Sequence, residues 1–180
     1  SSKQLVLVTT LVYPGSPAEK AGLKRGNLIV GLNNEPITTD NYQKLTTLAS
    51  AELMVQTQSS QKVVKMQAVS MYEDPVVLDS IYRWEGKKVG YLLYNQFNVL
   101  SCEKLISVCK RFKNEEDREL IMDLRYNLGG NSKVHQLLAS MLAPEENVAR
   151  NDVYLKRGHN KDYTEELRQK GEALEQLLQP

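Results

Sequence analysis

The chain has 180 residues, of which 41% are hydrophobic and 25% charged, and its formal net charge is +1. Its 23 basic and 22 acidic residues nearly cancel, so no broad cationic field is available to hold nucleic acid. Balanced charge with an ordinary apolar fraction argues against a disordered chain, and no apolar run approaches the ~20 residues needed to cross a bilayer. One domain or two small ones are expected at this length.

The first part of the chain alternates short apolar runs with turn signals. Residues 4–12 form a nearly continuous apolar and Thr run, which predicts a strand buried on both faces. Ser16 is placed to cap a short helix that begins at Pro17 and stops at Gly22. The other predicted elements are strands at 28–32, 53–58 and 63–69, and a helix capped by Asp40 whose apolar positions are Tyr42, Leu45, Leu48 and Ala49.

The second part of the chain follows a different pattern. Residues 70–79 show no period and are predicted to be a linker. The elements predicted after it are a strand at 88–94, a helix at 102–112 capped by Ser101, a strand at 120–124 and a helix at 134–142. This strand–helix–strand–helix order predicts an α/β layer with parallel strands. A short strand at 153–155 and a helix over 163–178, with Gly171 inside it, are expected to follow.

The cysteine content argues against a disulfide and against a zinc site. Cys102 and Cys109 lie seven residues apart in a helical pattern, which separates them by about 10 Å along the axis. Because a disulfide needs Cα atoms within roughly 7 Å, we expect two buried thiols. No Cys/His set has zinc spacing, so neither a metal nor another cofactor is predicted.

The most specific string in the first part runs from Tyr13 to Ile29 and contains Gly15-Ser16-Pro17-Ala18 and Ala21-Gly22-Leu23-Lys24-Arg25-Gly26-Asn27. It resembles the Gly-Ser-Pro-Ala…Ala-Gly-Leu-Lys-x-Gly-Asp stretch of bacterial PDZ domains, with Asn27 in place of the usual Asp. The resemblance covers about residues 4–70. It implies that a peptide binds by strand addition beside the helix that carries Tyr42, Leu45 and Leu48. The family's carboxylate-binding glycine loop precedes the matching segment, so we expect an incomplete groove.

Two motifs of the second part occur in a recognisable order. A Gly90-Tyr91 strand is followed by Phe97 and then, after one helix, by Asp123-Leu124-Arg125-Tyr126-Asn127-Leu128-Gly129-Gly130. This arrangement resembles the tail-specific, or C-terminal processing, serine proteases, which also carry a PDZ domain immediately upstream. Most of residues 4–160 is covered by the two resemblances together.

The loop at Gly129 and Gly130 is the candidate catalytic element. A strand that ends in two glycines and turns into a helix presents backbone N–H groups that can hold a developing oxyanion. The resemblance implies that Gly129 or Gly130 supplies one such donor. Asp123, Arg125 and Asn127 are predicted to fix the shape of the loop. Phosphate binding is excluded, because the glycines lack Walker spacing.

A catalytic nucleophile has no candidate at the expected place. The resemblance places a Ser nucleophile and a Lys base well after the Gly-Gly loop, whereas residues 141–180 contain no Ser and no Cys. Ser132 and Lys133 adjoin the loop, but neighbouring residues on a helix point in different directions. His135 and His159 are expected in surface or capping roles. The aromatic residues expected to pack the junction are Tyr72, Tyr82, Trp84, Tyr91 and Tyr94.

The sequence therefore predicts an α/β (α+β overall) chain: a PDZ-like partial β-barrel at 1–72, a linker at 73–86 and the first part of a protease core at 87–180. The expected function is that of a serine endopeptidase fragment with a Ser–Lys mechanism, inactive alone, whose PDZ domain engages a polypeptide substrate or its C-terminal tail. A non-catalytic peptide-binding module and a pseudoprotease stay open as alternatives.

The remaining expectations concern partners and location. The chain starts with Ser1-Ser2-Lys3 and has no initiator Met, which indicates a processed or trimmed chain. No nucleic acid and no transmembrane segment are expected, and an unpaired sheet edge favours a homodimer. The resemblance implies the bacterial cell envelope as the location.

Overall fold

The computed structural model describes residues 2–115 and 119–179, and the chain divides into two compact units between Glu73 and Asp74. The helices are Pro17–Lys20 (α1), Cys102–Asn114 (α2), Ser132–Leu142 (α3), Glu145–Ala149 (α4) and Lys161–Gln169 (α5). The strands are Leu7–Val8 (β1), Leu28–Leu32 (β2), Glu35–Pro36 (β3), Ser50–Gln56 (β4), Gln61–Gln67 (β5), Val76–Trp84 (β6), Lys87–Tyr94 (β7), Glu119–Asp123 (β8), Val153–Lys156 (β9) and Glu175–Leu177 (β10).

The first unit is an antiparallel sheet in the order β1-β2-β4-β5, with β3 paired to β2. Its core is formed by buried aliphatic residues, among them Ile37, Leu53 and Val55. Helix α1 begins as predicted, because the Ser16 hydroxyl accepts a hydrogen bond from Glu19 N at 3.1 Å. The Glu19 carboxylate in turn accepts a hydrogen bond from Gly15 N at 2.7 Å, so reciprocal side-chain to backbone hydrogen bonds stabilise the start of the helix.

Two predictions for the first unit are wrong. The strand expected over residues 4–12 is a regular strand only at Leu7–Val8, with an isolated antiparallel bridge between Gln4 and Thr38, and its side chains alternate between partly buried and exposed instead of being buried on both faces. The expected α-helix is a short 3₁₀ helix, Tyr42–Thr46, preceded by Asn41 rather than capped by Asp40. The Thr46 hydroxyl donates to a backbone carbonyl of this segment at 2.8 Å, which is the local competition that disfavours an α-helix.

The second unit contains a three-stranded sheet in the order β6-β7-β8. Strands β7 and β8 are parallel and are joined through α2, which confirms the predicted strand–helix–strand arrangement. Helices α2 and α3 pack on one face of this sheet. The buried residues of that core are Val76, Leu92, Tyr94, Leu105, Val108, Phe112, Val134 and Leu138.

The segment predicted to be a linker contains strand β6, which pairs antiparallel with β7. The two strands are joined by Glu85 and Gly86, whose φ values of 49° and 79° are those of a tight hairpin turn. This turn carries few of the sequence signals of a hairpin, because Glu rarely adopts a positive φ. Trp84 lies at the end of β6, on the face of the sheet opposite to helices α2 and α3, and it is 71% exposed.

The aromatic residues predicted to pack the junction have separate environments. Tyr94 is fully buried in the core of the second unit, and Trp84 and Tyr82 are exposed. The Tyr82 and Tyr91 rings meet edge to face on the second unit's sheet, with centroids 6.0 Å apart. Within the second unit, the buried Tyr94 and the exposed Tyr82 and Trp84 therefore have different surroundings.

The predicted C-terminal helix is also wrong in its second half. Helix α5 ends at Gln169, and Gly171 adopts a φ of 70°. A glycine in the left-handed region directly after a helix is a common helix stop. The chain then returns as β10, which pairs antiparallel with β9.

Both cysteines are free and, where buried thiols were predicted, they are partly buried against the core. In the described part of the chain, no helix has the length and apolar character required to cross a membrane. The same residues contain no group of three or more His, Cys, Asp or Glu side chains able to hold a metal ion.

Candidate active site

The Gly-Gly loop lies at the carboxyl ends of the parallel strands β7 and β8. Phe97, which follows β7, donates its N–H to the Gly129 carbonyl at 2.9 Å and accepts a hydrogen bond from Asn131 N at 2.8 Å. Leu128 N also donates to the Asn95 carbonyl at 3.1 Å. The segment after β7 and the loop after β8 are therefore held side by side by backbone hydrogen bonds, and the loop has a defined shape.

The two glycines are required for different reasons. Gly129 has a φ of 89°, but a Cβ atom there would meet no atom within 4 Å. Gly130 has a φ of 138°, and a Cβ atom there would lie 2.3 Å from the carbonyl oxygen of Phe97. Gly129 is thus needed for backbone conformation alone, whereas Gly130 is needed for conformation and for the close approach of Phe97.

The backbone N–H groups of the two glycines also differ. Gly129 N donates to the Asn127 side-chain oxygen at 2.8 Å, and Asn127 Nδ2 donates to the Tyr94 carbonyl at 3.1 Å. Within residues 2–115 and 119–179, the Gly130 N–H forms no hydrogen bond, and this residue is exposed. Of the two predicted donors, Gly130 alone presents an unengaged N–H to solvent.

Asp123 and Arg125 form an ion pair beside the loop. The buried Asp123 carboxylate accepts hydrogen bonds from Arg125 Nε at 2.9 Å, from Arg125 N at 3.1 Å and from Tyr91 Oη at 2.6 Å. These donors favour the charged carboxylate, and the Arg125 guanidinium, followed by Tyr91, lowers the pKa of Asp123 well below its usual range. The hydrogen bond to Asp123 raises the pKa of Tyr91. A carboxylate held ionised in this way fixes the strand end and is poorly suited to transfer protons.

Two serine hydroxyls of the second unit, those of Ser140 and Ser101, are engaged in hydrogen bonds within the fold. Ser140 Oγ donates to the Gln136 carbonyl at 2.9 Å and accepts a hydrogen bond from Gln179 N at 3.0 Å. Ser101 is buried, and its hydroxyl contacts Tyr94 Oη at 2.7 Å and the Asn98 carbonyl at 2.6 Å. Ser132 and Lys133 are the first two residues of α3, and Lys133 N is bonded to Asn131 Oδ1 at 2.8 Å, which makes Asn131 the cap of this helix.

A hydrogen-bonded group that the sequence did not indicate surrounds His135. Its Nδ1 lies 2.9 Å from Tyr154 Oη, and Tyr154 Oη lies 2.6 Å from Gln176 Oε1. These residues belong to α3, β9 and β10, and they are 19 to 41 positions apart in the chain. His135 was expected in a surface or capping role, but it is partly buried between aromatic rings. No local sequence pattern encodes such a contact.

His159, the other histidine, lies in a different environment. Its ring meets the Tyr163 ring edge to face, with centroids 5.0 Å apart. Among the described residues, no hydrogen bond from its ring nitrogens is formed, and the residue is exposed. His159 therefore offers an internal comparison for His135.

The predicted peptide-binding residues lie in the first unit. A groove of about 310 Å³ is lined by Leu45 and Leu48 together with Val12 and Met66. Tyr42 is exposed and does not line this groove. A larger cavity of about 880 Å³ in the second unit, between α2, α3 and α4, contains none of the predicted site residues.

Comparison with known families matches both units. Residues 8–55 match the model of the PDZ domain, and residues 88–176 match the model of peptidase family S41. The second match includes the Gly-Gly loop, the Asp123–Arg125 pair and His135.

Similar proteins carry protease names. A carboxyl-terminal-processing protease of Picosynechococcus sp. is 27% identical over 132 residues, which cover 69% of this chain and 32% of that protein. The carboxy-terminal processing protease CtpB of Bacillus subtilis is 25% identical over 126 residues, which cover 66% of this chain and 26% of that protein. The chain thus spans only about a quarter to a third of the length of these curated relatives.

A solved structure extends the similarity to nearly the whole chain. The crystal structure of a protein named as an S41 protease, from Bacteroides fragilis, is 28% identical and gives a TM-score of 0.68. The superposition covers 99% of this chain and 50% of that one. Both units therefore have counterparts in one protein.

Proposed function

Because the chain combines a PDZ domain with part of a peptidase family S41 core of the C-terminal processing type, we propose that it is part of a serine endopeptidase that cleaves polypeptides. In this proposal the Gly130 N–H stabilises the oxyanion that forms when a serine attacks a peptide carbonyl. The observation that carries the proposal is the exposed Gly130 N–H, which is the unengaged donor of the two glycines.

The proposed mechanism uses a Ser nucleophile and a Lys base that this chain does not supply. The hydroxyls of Ser101 and Ser140 are already hydrogen-bonded to the fold, which supports this view. The 180-residue chain is accordingly inactive alone, and activity belongs to a longer protein that contains it. Lys would deprotonate Ser, Ser would attack the carbonyl carbon, and the Gly130 N–H would hold the resulting negative charge.

The surface beside Gly130 suits a polypeptide with apolar side chains. Leu128 is 92% exposed although its backbone is fixed to Asn95. Val99 and Leu100, on the segment that follows β7, are also exposed. Apolar side chains held at fixed positions next to the oxyanion donor would contact substrate residues close to the bond that is cut.

The experiment that tests the proposal removes one N–H group. Replacing the Gly130 amide by an ester through semisynthesis of the longer protein deletes the donor and keeps the absence of a Cβ. We expect kcat to fall by about 10²–10³-fold, as for other oxyanion donors. The same ester at Gly129 is the matched control and should have a much smaller effect, since that N–H bonds to Asn127. Unchanged kcat for the Gly130 ester would refute the role.

Inactivity of the short chain has its own test. The purified 180-residue chain and the longer protein are incubated with an unfolded polypeptide, and products are followed by mass spectrometry. We expect cleavage by the longer protein alone. Cleavage by the short chain that persists after removal of trace proteases would overturn this part of the proposal.

A non-catalytic peptide-binding module is the second candidate. The 310 Å³ groove lined by Leu45 and Leu48 favours it, because an apolar groove beside a helix can hold a polypeptide tail. Titration of the chain with peptides ending in a free carboxylate, followed by NMR shifts of the Leu45 and Leu48 amides, distinguishes binding from no binding. A pseudoprotease would bind peptide and leave it uncut even in the longer protein.

Two further proposals concern location, which rests on the family relationship, and self-association, which rests on the sheet edge. The longer protein would act in the bacterial cell envelope, where it would meet exported polypeptides. The chain would form a homodimer through an unpaired sheet edge. Cell fractionation tests the first, and light scattering across a concentration series tests the second.

A further inference from the structure

His135 lies on α3, five residues after Gly130, between two aromatic rings. Its ring meets the Phe97 ring with centroids 5.8 Å apart at 82°, and the Tyr154 ring with centroids 5.9 Å apart at 64°. Tyr154 comes from β9 and hydrogen-bonds Gln176 of β10. A continuous set of contacts therefore joins the paired strands β9 and β10 to the segment beside the Gly-Gly loop.

The hydrogen bonds of Tyr154 determine which nitrogen of His135 carries a proton. A tyrosine hydroxyl has one proton to donate, and Tyr154 Oη directs it to Gln176 Oε1 at 2.6 Å. The contact of 2.9 Å between Tyr154 Oη and His135 Nδ1 then requires Nδ1 to be the donor. In the neutral ring, Nδ1 is protonated and Nε2 is not.

Phe97 connects this histidine with the loop. Its ring is held between His135 and Tyr94, whose ring centroid lies 5.2 Å away. Its main chain is hydrogen-bonded to the residues on both sides of Gly130, since Phe97 N donates to the Gly129 carbonyl and the Phe97 carbonyl accepts from Asn131 N. Because these hydrogen bonds hold the residues on both sides of Gly130, a shift of Phe97 would move Gly129 and Asn131 and, with them, the peptide of Gly130.

We infer that His135, held by Tyr154 with Nδ1 protonated, is a positioning residue for the Gly130 N–H, so that the paired strands β9 and β10 set the geometry of the Gly-Gly loop. The catalytic meaning of this role rests on the proposed function, because Gly130 is the donor to the oxyanion. His135 itself touches Phe97 and Tyr154, and it acts on the loop through Phe97.

The test uses NMR of the 180-residue chain and needs no catalysis. Long-range ¹H–¹⁵N spectra of the two histidine rings report which nitrogen is protonated at a pH where the rings are neutral. We expect protonated Nδ1 for His135 and no such fixed pattern for His159. In Tyr154→Phe, the His135 pattern should change and the Gly130 amide resonance should shift. Tyr163→Phe, which alters the ring next to His159, is the matched control and should leave both unchanged.

A second variant guards against misfolding of Tyr154→Phe. Gln176→Leu removes the acceptor of the Tyr154 proton and keeps the Tyr154 hydroxyl, so the proton can move to His135 Nδ1 and reverse the pattern. Protonated Nε2 in the unmodified chain, or a Gly130 resonance that moves no more than in Tyr163→Phe, would overturn the inference.

Kinetics of the longer protein separate this inference from the proposed function. Tyr154→Phe should lower kcat about tenfold with little change in KM, because the donor is misplaced but the substrate surface is intact. If the ester at Gly130 leaves kcat unchanged while the NMR results hold, the oxyanion role fails and the positioning of Gly130 by His135 stands. If the ester lowers kcat and Tyr154→Phe does not move the Gly130 resonance, the positioning role fails alone.

Discussion

Single residues in the Gly-Gly loop differ in how much substitution they tolerate. Gly130→Ala should lower the free energy of unfolding by about 2 kcal/mol or more, because strained backbone adds to an overlap with the Phe97 carbonyl oxygen. Gly129→Ala should cost about 1 kcal/mol from backbone strain alone, since its Cβ would meet open space. Urea unfolding of both variants measures the difference. Equal losses of unfolding free energy in the two variants would mean that Phe97 moves away from the added Cβ at little cost.

The Asp123 carboxylate predicts an acid-sensitive contribution to stability. Its folded-state pKa is lowered, chiefly by Arg125 and then by Tyr91, so the contribution is complete above the unfolded value of about 3.9. This contribution to stability is lost as the pH falls from about 4 through the lower pKa that Asp123 has in the folded state. The urea midpoint of the unmodified chain should therefore fall more steeply below pH 4 than that of Asp123→Asn. Parallel pH profiles for the two would contradict this.

The contribution of Tyr91 to stability should be lost as the pH rises, which is the opposite of the dependence expected for Asp123. Its folded-state pKa is raised, first by the hydrogen bond to Asp123, so the contribution is complete below the unfolded value of about 10 and is lost as the pH rises through the folded value. Tyr91→Phe should abolish that loss. Tyr163→Phe, on helix α5 and away from any carboxylate partner seen in the described residues, should keep it.

At the residue scale, the sequence predicts contacts between residues that are close together in the chain, but not contacts that depend on tertiary structure. Asp123 and Arg125 are two positions apart at a strand end, so their proximity could be inferred. The choice between the N–H groups of Gly129 and Gly130 could not be inferred, because it depends on the orientation of the Asn127 amide. The Tyr154–His135 contact depends on how α3 meets β9, which no local pattern specifies.

At the level of elements, α2 contributes its stability through one face. Leu105 is fully buried in the core, whereas Ile106 is only partly buried and lines a surface groove. Leu105→Ala should cost about 2–5 kcal/mol, because a cavity is left in addition to the lost apolar transfer energy. Ile106→Ala, the matched control one position along, should cost distinctly less. Thermal unfolding followed by circular dichroism compares them.

The elements that the sequence predicted correctly are those with a strong period. The helices α2 and α3 carry apolar residues at helical spacing, and β7 and β8 are short apolar runs. Strand β6 was missed because Glu85 takes a positive φ in its hairpin, and Glu carries no turn signal. Strand β10 was missed because Leu177 within it and Leu174 and Leu178 beside it continue the helical spacing of α5, while Gly171 stops that helix.

At the level of the whole molecule, the division between Glu73 and Asp74 predicts the behaviour of the chain towards proteases. Residues 68–74 form no regular structure, and Tyr72 is 50% exposed. Brief treatment with chymotrypsin should cut first after Tyr72 and release two pieces that resist further digestion, since each unit has its own buried core. Mass spectrometry identifies the cut. A first cut after the exposed Leu128 would show that the Gly-Gly loop opens more readily than this segment.

The exposed position of Trp84 makes the chain its own optical probe. Trp84 is the one tryptophan of the sequence and stands at the end of β6, beside the hairpin turn. Its indole faces water, so fluorescence should be emitted at long wavelength and should change little when the chain unfolds. Any partner that covers this end of the sheet would move the indole into apolar surroundings and shift the emission to the blue. A fluorescence titration would then report association without any added label.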